Sequence, residues 1–301
     1  MRHVFLFANP ISGSGRARPL AALIARKLRR EGYRVDAHYE PPDQIAPDRL
    51  TERVRAAIVI GGDGTLRTVA NTLMTFAHPP PIIPVPMGTA NLMARQLRLP
   101  RITADSAANW VSDTLRDGSV VRYDVARVNL QLCLLMAGIG YDGEIVHDLA
   151  KSRVGPINYA SYLLPAARAL GSYKFHSLRV LADGKEVFPS RPAIAFVGNS
   201  REYGIGFPVL PQADPHDRLL DLLVLPCRSR TELFAWFVGI LTGTHLQGRG
   251  VLQMRAQNFF IESSQPVPVQ VDGDAAGHTP VSIDLLPAQL GFMVPTGKEM
   301  T

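Results

Sequence analysis

The chain of 301 residues contains only two cysteines, Cys133 and Cys227, and both lie in apolar runs. So few cysteines exclude a disulfide-stapled secreted scaffold and a cysteine-rich zinc domain. The eight histidines show no spacing typical of metal ligands. No apolar stretch reaches the roughly 20 residues that a membrane-spanning helix needs. The apolar stretch in the first ten residues is too short for a signal peptide, and its residues are needed for a strand. We therefore expect a cytoplasmic protein.

Aromatic residues make up only 7% of the chain, and they are not interleaved with basic residues as in RNA-binding modules. Acidic residues are fewer than basic ones, 26 against 32, which gives a formal net charge of +6. This modest excess suits an acidic substrate or an anionic membrane surface. The sequence therefore predicts a globular protein with room for two domains and no nucleic-acid partner.

Glycine is abundant where apolar runs end. The most informative segment is Gly61–Thr65, Gly-Gly-Asp-Gly-Thr, which lies between an apolar run at 56–60 and a helix-periodic stretch that we expect to start at about Thr65. Glycines let backbone N–H groups approach a ligand, and a helix N-terminus favours an anion. We interpret this segment, the second of three such turns along the chain, as a phosphate-binding turn in which Asp63 binds Mg²⁺, directly or through water. The alternative is a tight turn with an N-capping aspartate.

Two further segments share this strand-turn-helix design. A first turn at residues 9–15 follows the apolar run 3–8, and a third turn at residues 87–91 follows the apolar run 82–86. Turns at the carboxyl ends of parallel strands meet at one crevice of an open α/β sheet. Thr65 is also compatible with a helix N-cap. The candidate nucleotide-contacting residues are Asn9, Ser12, Gly61, Gly62, Asp63, Gly64, Thr65 and Thr89.

The periodicity of the chain changes near residue 122. Up to that point strands and helices alternate, which predicts an α/β domain with a mainly parallel sheet. Beyond it, strand-like runs dominate and predict an antiparallel β-sandwich or barrel with helices. The strands are expected at 3–8, 33–38, 56–60, 82–85, 121–128, 131–138, 176–182, 192–198, 219–225, 257–263, 267–271 and 280–285. The helices are expected at 17–31, 65–76, 90–97, 103–117, 143–150, 156–170 and 230–243.

The order of Asn-Pro-x-Ser-Gly-x-Gly, Gly-Gly-Asp-Gly-Thr and Pro-x-Gly-Thr-x-Asn resembles the diacylglycerol kinase catalytic-domain family of bacterial lipid kinases, relatives of sphingosine and ceramide kinases. The resemblance continues through residues 138–142, 198–206, 211–221 and 271–274.

This resemblance implies an α/β nucleotide-binding domain at 1–122, joined by about 290–301, and a β-rich lipid-substrate domain at 123–289. It places the active site in the cleft between them. It also implies ATP, Mg²⁺ and a lipid acceptor, in a protein peripheral to the inner face of the membrane. A homodimer is compatible with it.

Two carboxylates, Asp272 and Asp274, are the joint candidates for the catalytic base. On the residues alone, Asp-Gly at 272–273 favours a hairpin turn, and both carboxylates are expected to be exposed at a loop. The resemblance instead gives this acidic pair the proton-accepting role. The family usually has Glu at the position of Asp274, so the reach of the side chain is shorter here by roughly 1 Å.

The resemblance also implies metal-binding residues. It assigns a structural Mg²⁺ to a loop in which Asp217 supplies a side chain while Asp214 and Leu219 supply carbonyl groups. It places Asp63 and Asp124 in an Asp–water–Mg²⁺ network. From the residues alone, the acidic segment favours a solvated loop over a metal site. Asp124 is equally compatible with an ordinary residue that enters a strand.

Three departures from the family pattern indicate a divergent member: Leu92 where the family has Asp, Arg218 where it has Gly, and Asp274 where it has Glu. They leave two other functions open. One is a kinase for a soluble acceptor, such as an NAD kinase. The other is a catalytically weakened protein that binds lipid or nucleotide. The apolar helix expected at 230–243 is compatible with membrane contact, an acyl pocket or a buried core position.

Overall fold

The computed structural model describes residues 2–9, 15–40, 54–152, 168–204 and 206–296. The chain divides into two compact units. Unit 1 comprises Met1–Tyr123 and Gln289–Thr301, and unit 2 comprises Asp124–Ala288. No helix in the described ranges is long and apolar enough to cross a membrane.

Unit 1 contains a six-stranded sheet. Its strands are β1 (His3–Ala8), β2 (Arg34–His38), β3 (Ala56–Gly61), β4 (Ile82–Pro86), β5 (Ser119–Tyr123) and, from the end of the chain, β17 (Leu290–Val294). The strand order is β2-β1-β3-β4-β17-β5. All neighbours are parallel except β17 and β5, which are antiparallel. The central strands β1 and β3 are buried along their whole length, as expected for a parallel sheet covered by helices.

Four helices of unit 1 are α1 (Ala17–Arg30), α2 (Asp63–Leu73), α3 (Leu92–Gln96) and α4 (Ala104–Asp117). Helix α1 buries Leu20, Ile24 and Leu28 at helical spacing, and these residues share one apolar cluster with α4 and the sheet. Helix α4 starts with a capping box, in which the Thr103 side chain accepts the N–H of Ser106. A local sequence signal therefore sets the start of α4.

Unit 2 is a β-rich domain. Its strands are β6 (Ala126–Val128), β7 (Gln131–Cys133), β8 (Met136–Ile139), β9 (Ser177–Ala182), β10 (Lys185–Gly198), β11 (Leu220–Pro226), β12 (Leu252–Ala256), β13 (Asn258–Glu262), β14 (Pro268–Val271), β15 (Asp274–His278) and β16 (Val281–Leu285). All of their pairings are antiparallel.

Strand β10 organises the sheet of unit 2, because its first half pairs with β9 and its second half pairs with β8 and β11. The order is β15-β14-β8-β10-β9-β13-β16-β6-β7, with β11 and β12 branching from β10. Inward-facing apolar side chains from these strands form one continuous core. This architecture confirms the predicted fold class, an α/β domain and an antiparallel β-sandwich or barrel domain.

The longest helices in the described part of unit 2 are α5 (Tyr141–Ser152) and α6 (Arg230–Thr242). The side chain of Ser229 caps α6 by accepting the N–H of Glu232, and Gly243 ends it in a left-handed conformation. The helix expected at 156–170 lies mostly outside the described residues. Residues 168–172, where the described chain resumes, are helical.

Several predicted strand boundaries were wrong. The run 121–128 is two strands, β5 and β6, separated at the fully buried Asp124. The run 131–138 is also two strands, because the N–H groups of residues 134–136 bind a carboxylate from elsewhere in unit 2. Strands β12, β15 and β17 were not predicted. The sequence of β15, Asp-Ala-Ala-Gly-His, has few residues that favour strands, and pairing with β14 decides its conformation.

Candidate functional site

The second and third turns of unit 1 touch backbone to backbone. A Cβ atom added to Gly88 would lie 2.6 Å from the Cα of Gly62, and one added to Gly62 would lie 3.1 Å from the Cα of Gly88. The N–H of Met87 also donates to the carbonyl of Gly61 at 2.9 Å. Because any side chain would separate these turns, both positions require glycine. The two turns therefore lie side by side at the carboxyl ends of β3 and β4.

The first turn is joined to the second by a side-chain contact. Asn9 Nδ2 donates to Thr65 Oγ1 at 3.3 Å, and Thr65 is buried. A Cβ on Gly61 would lie 2.6 Å from the Cβ of Thr65, so glycine is also required there. Three turns predicted to bind the nucleotide thus contribute residues to one region of unit 1, where Gly64 and Thr89 are exposed. The predicted residue Ser12 lies outside the described residues.

Asp63 connects two helix starts. Helix α2 begins at Asp63 itself, two residues earlier than predicted, with Gly62 at the N-cap position. The Asp63 carboxylate accepts the N–H of Leu92 on Oδ2 and that of Met93 on Oδ1, both at 3.0 Å. Burial raises the pKa of Asp63, and these two backbone bonds act in the opposite direction. Asp63 therefore caps helix α3 while it stands in the first turn of α2.

Asn91 is a residue of the third turn that sequence reasoning did not select. It has a left-handed backbone, with φ of +48°. Its Oδ1 accepts the N–H of Gly88 at 2.9 Å, and its Nδ2 donates to the Gly88 carbonyl at 2.8 Å. The available signal was asparagine itself, since its side chain bonds to the nearby backbone and it tolerates this conformation. Asn91 closes the turn that brings Gly88 against Gly62.

In unit 2, Asp272 and Gly273 form the two-residue turn of the β14–β15 hairpin, with φ of +51° and +87°. The hairpin alternative therefore describes the backbone correctly. The carboxylate of Asp272 has a second task. It accepts three consecutive backbone N–H groups, from Leu134 at 2.8 Å, Leu135 at 2.9 Å and Met136 at 3.0 Å. Asp272 thus anchors the segment between β7 and β8.

Asp274 differs from Asp272 in position. It is the first residue of β15 and pairs across the ladder with Val271. Both aspartates are half-buried, which corrects the expectation that the two carboxylates are exposed at a loop. Because Asp272 holds the backbone of residues 134–136, Asp274 is the better candidate of the two for accepting a proton.

Comparison with known proteins gives two family matches that together span most of the chain. Residues 3–128 match the diacylglycerol kinase catalytic domain, and residues 136–294 match the YegS C-terminal NAD kinase beta sandwich-like domain. A diacylglycerol kinase of Mycobacterium tuberculosis is 30% identical, over 97% of this chain and 95% of the relative. The chain belongs to the diacylglycerol kinase family.

Other relatives of this diacylglycerol kinase family member agree in length and fold. A diacylglycerol kinase of Bacillus subtilis is 25% identical, over 99% of this chain and 98% of the relative. A solved structure from Bacillus anthracis superposes with a TM-score of 0.75 at 24% identity, and the match covers 98% of this chain and 96% of that one. At this identity the structure supports the fold alone.

The Asp124 side chain, which the family resemblance assigns to a metal network, is paired with an arginine instead. Asp124 is fully buried. Its Oδ1 accepts Arg218 Nη1 and its Oδ2 accepts the backbone N–H of Arg218, both at 2.7 Å. The same guanidinium donates through Nη2 to the carbonyls of Leu286 at 2.9 Å and Pro287 at 3.2 Å. The Arg218 guanidinium therefore lies among carboxylate and carbonyl oxygen atoms, which are the ligands that Mg²⁺ prefers.

The aspartate side chains of the acidic loop in unit 2 also form hydrogen bonds with other groups of the chain. Asp217 Oδ1 accepts the N–H of Leu219 and its Oδ2 accepts Arg255 Nη1, both at 3.0 Å. Asp214 Oδ1 accepts the N–H of His216 at 3.0 Å. Within the described ranges, no three His, Cys, Asp or Glu side chains are placed to hold a metal ion. The structural Mg²⁺ that the resemblance implies for this loop would use one of these side chains and two carbonyl groups, and it stays a prediction.

Asp142, at the start of α5, is a second residue that sequence reasoning left without a role, although it ends the family-like segment 138–142. Its Oδ2 is buried, and burial raises the pKa of Asp142 to about 6, against the effect of the Tyr203 and Gln270 side chains beside it. Gln270 Oε1 in turn accepts the N–H of Gly273 at 2.8 Å. Gln270 therefore connects Asp142 with the turn that carries Asp272.

The turn contact is tested by Gly88→Ala. The added methyl group meets backbone rather than a flexible side chain, so we expect a loss of about 1–3 kcal/mol in the free energy of unfolding, measured with urea. Gly171→Ala is the matched control, because nothing lies within 4 Å of its added Cβ, and it should change stability by no more than about 0.5 kcal/mol. Equal stability of the two variants would show that the turns do not need this approach.

The Arg218–Asp124 pair is tested by Arg218→Met, which leaves a buried carboxylate without its cation. We expect a loss of about 3 kcal/mol in unfolding free energy, at the low end for buried pairs because the guanidinium is partly exposed. Arg255→Met removes a more exposed pair and should cost about 1 kcal/mol or less. The wild-type midpoint should not change when EDTA is added. A large shift with EDTA would mean that a bound metal, rather than Arg218, holds this region.

The charge of Asp142 is tested by Asp142→Asn across pH. The folded-state pKa is raised, so the wild type loses stability as pH rises from about 4 through about 6, whereas the asparagine variant does not titrate there. Relative to the wild type, the variant should gain on the order of 3 kcal/mol between pH 4 and pH 8. Chemical denaturation at both pH values measures this difference. If wild type and variant differ in unfolding free energy by the same amount at pH 4 and pH 8, the pKa of Asp142 is not raised.

Proposed function

We propose that this kinase transfers the γ-phosphoryl group of ATP to the hydroxyl group of a lipid, with a diacylglycerol-like molecule as the default acceptor and a sphingoid or other glycerolipid as variants of it. The observation that carries the proposal is the contact of Gly62 with Gly88, which sets the third turn beside the N-terminus of α2. Membership of the diacylglycerol kinase family supports it independently.

The residues of unit 1 suit a nucleoside triphosphate. The first N–H groups of a helix have no partners within the helix and carry its positive dipole end, so the start of α2 favours phosphate oxygens. The glycines at 61, 62 and 88 leave these groups without covering side chains. Each oxygen of Asp63 accepts one N–H and keeps a further lone pair, so this carboxylate fits a contact with Mg²⁺. The ion would offset the negative charge of the phosphates.

In unit 2 we assign proton acceptance to Asp274. An acceptor hydroxyl becomes a better nucleophile when a carboxylate takes its proton, and the proton would come to rest on a carboxylate oxygen of Asp274. Asp272 positions the hairpin by holding the N–H groups of residues 134–136. Asp272 therefore acts as a positioning residue in this proposal.

The membrane is the proposed place of action, because diacylglycerol-like acceptors reside in bilayers. We propose that the protein is cytoplasmic and peripheral to the inner face of the membrane, and its formal charge of +6 supports attraction to that anionic surface. A kinase with a soluble acceptor is the second candidate, because residues 136–294 match a domain described as NAD kinase beta sandwich-like.

Transfer of label from γ-labelled ATP into mixed lipids in detergent micelles, with Mg²⁺ present, tests the proposal. We expect a labelled lipid from the wild type and a loss of about 100-fold or more for Asp274→Asn, whose fold should be unchanged. Asp272→Asn serves as the contrast. It should lose about 1–3 kcal/mol of unfolding free energy, because its amide group cannot accept all three N–H bonds.

Two results would contradict this proposal. Label that enters only a water-soluble acceptor would favour the soluble-acceptor kinase. A folded protein that binds ATP but labels no acceptor would favour a binding role without catalysis. Full turnover by Asp274→Asn would remove that residue from the proposed role while leaving the lipid acceptor in place.

A further inference from the structure

Helix α6 is apolar on two sides, and one side is seated in unit 2. Leu233, Gly239 and Ile240 are buried, and Trp236 Nε1 donates to the carbonyl of Pro226 at 2.6 Å. Gly239 lies so close to the segment after the helix that an added Cβ would be 3.2 Å from the Cα of His245. Packing on this side therefore fixes the helix and its orientation.

The opposite side of α6 presents large apolar side chains to solvent. Phe234, Phe237, Val238 and Leu241 are 61%, 49%, 40% and 51% exposed, and their spacing of i, i+3, i+4 and i+7 places them on one helix face. These four are half of the large apolar residues that are exposed in the described part of the chain. A contiguous exposed apolar face of this kind marks a binding surface. We call these four residues the α6 face.

Arginines flank α6 along the chain and indicate the occupant of its exposed face. Arg230 precedes Phe234 by one turn on the same face, and Arg228 and Arg249 are exposed. Arg249 follows Gly248, which lies against the ring of Trp236. Between residues 228 and 250 the only acidic residue is Glu232, and its carboxylate accepts the N–H of Arg228 at 2.7 Å. Apolar side chains bordered by cations match an anionic lipid surface, with acyl chains below and negative headgroups above.

The α6 face is also continuous with the region of Asp142. The ring of Phe237 meets that of Phe207 edge to face, with centroids 5.8 Å apart. Phe207 and Tyr203 exchange backbone hydrogen bonds, each at 2.9 Å, and Tyr203 lies beside Asp142. A surface at α6 would thus bring a bilayer close to a polar part of unit 2, as a lipid-modifying enzyme requires.

From these observations we infer that α6 docks this protein on an anionic membrane, with the α6 face inserted at the boundary between headgroups and acyl chains. The inference rests on the proposed function, because it names the surface through which a lipid acceptor would be reached.

Vesicle flotation tests the docking surface, with the full-length protein and vesicles of phosphatidylglycerol and phosphatidylcholine. The test variant is Phe234→Ser/Leu241→Ser, which leaves the Phe237–Phe207 contact in place. We expect its partition coefficient to fall by about tenfold or more. Leu130→Ser/Val120→Ser is the matched control. It removes two apolar side chains that are 86% and 45% exposed elsewhere, and it should bind within about twofold of the wild type.

The arginines give a second, electrostatic readout. Arg228→Gln/Arg249→Gln should weaken flotation at low ionic strength and have little effect in 1 M salt, where the Debye length is only about 3 Å. Vesicles of phosphatidylcholine alone should bind the wild type more weakly than anionic vesicles. Equal binding to both kinds of vesicle would contradict the role of the arginines.

Two outcomes overturn the inference. One is unchanged flotation of Phe234→Ser/Leu241→Ser. The other is equal flotation losses for Phe234→Ser/Leu241→Ser and the control Leu130→Ser/Val120→Ser. If flotation is unchanged and light scattering shows that the substitution converts a wild-type dimer to a monomer, the α6 face joins two copies instead. The proposed function has its own readout, wild-type turnover of a short-chain diacylglycerol that dissolves as monomers. If that turnover is absent while flotation still depends on the α6 face, the diacylglycerol acceptor fails and the docking surface stands.

Discussion

The approach of two backbones, Gly62 against Gly88, is the constraint on which the candidate nucleotide site of unit 1 depends. Two turns can meet at this distance only if neither carries a side chain. Once they meet, Asp63 in one turn lies within reach of the first N–H groups of α3, and it caps that helix. Asn91 then holds the third turn in shape from within. The starts of two helices are fixed by this one contact.

Aspartates recur as clamps on the backbone in both units. Asp63 accepts two consecutive N–H groups, and Asp272 accepts three. A charged acceptor makes such bonds stronger than a neutral one would. Each of these acids lies in a segment that also carries candidate chemistry, so the same side chains that define the site hold its framework. Removal of either acid is therefore expected to disturb structure as well as activity, and the two effects have to be measured separately.

The sequence predicted most of unit 1, because fully apolar strands that end in glycine-rich turns are local signals. It predicted unit 2 less well, since β15 depends on pairing with β14, and the break between β7 and β8 depends on a carboxylate more than 130 residues away in the chain. Arg218 was recognisable as an unusual residue. Its pairing with Asp124 was not predictable, because 94 positions separate the two residues and nothing in either local pattern records the pair. The three turns could be found from sequence; which atoms they bring together could not.

Asn91, Arg218 and Asp272 share a feature that bears on protein engineering, since all three have left-handed backbones that glycine would adopt without strain. A non-glycine residue in this conformation costs about 1–2 kcal/mol. Thermostabilisation schemes often relax such positions with glycine. Here each residue uses its side chain for a contact that glycine lacks: to Gly88, to Asp124 and to residues 134–136. A design that removed the strain would also loosen the third turn, the buried ion pair and the hairpin, so these three positions are best left unchanged.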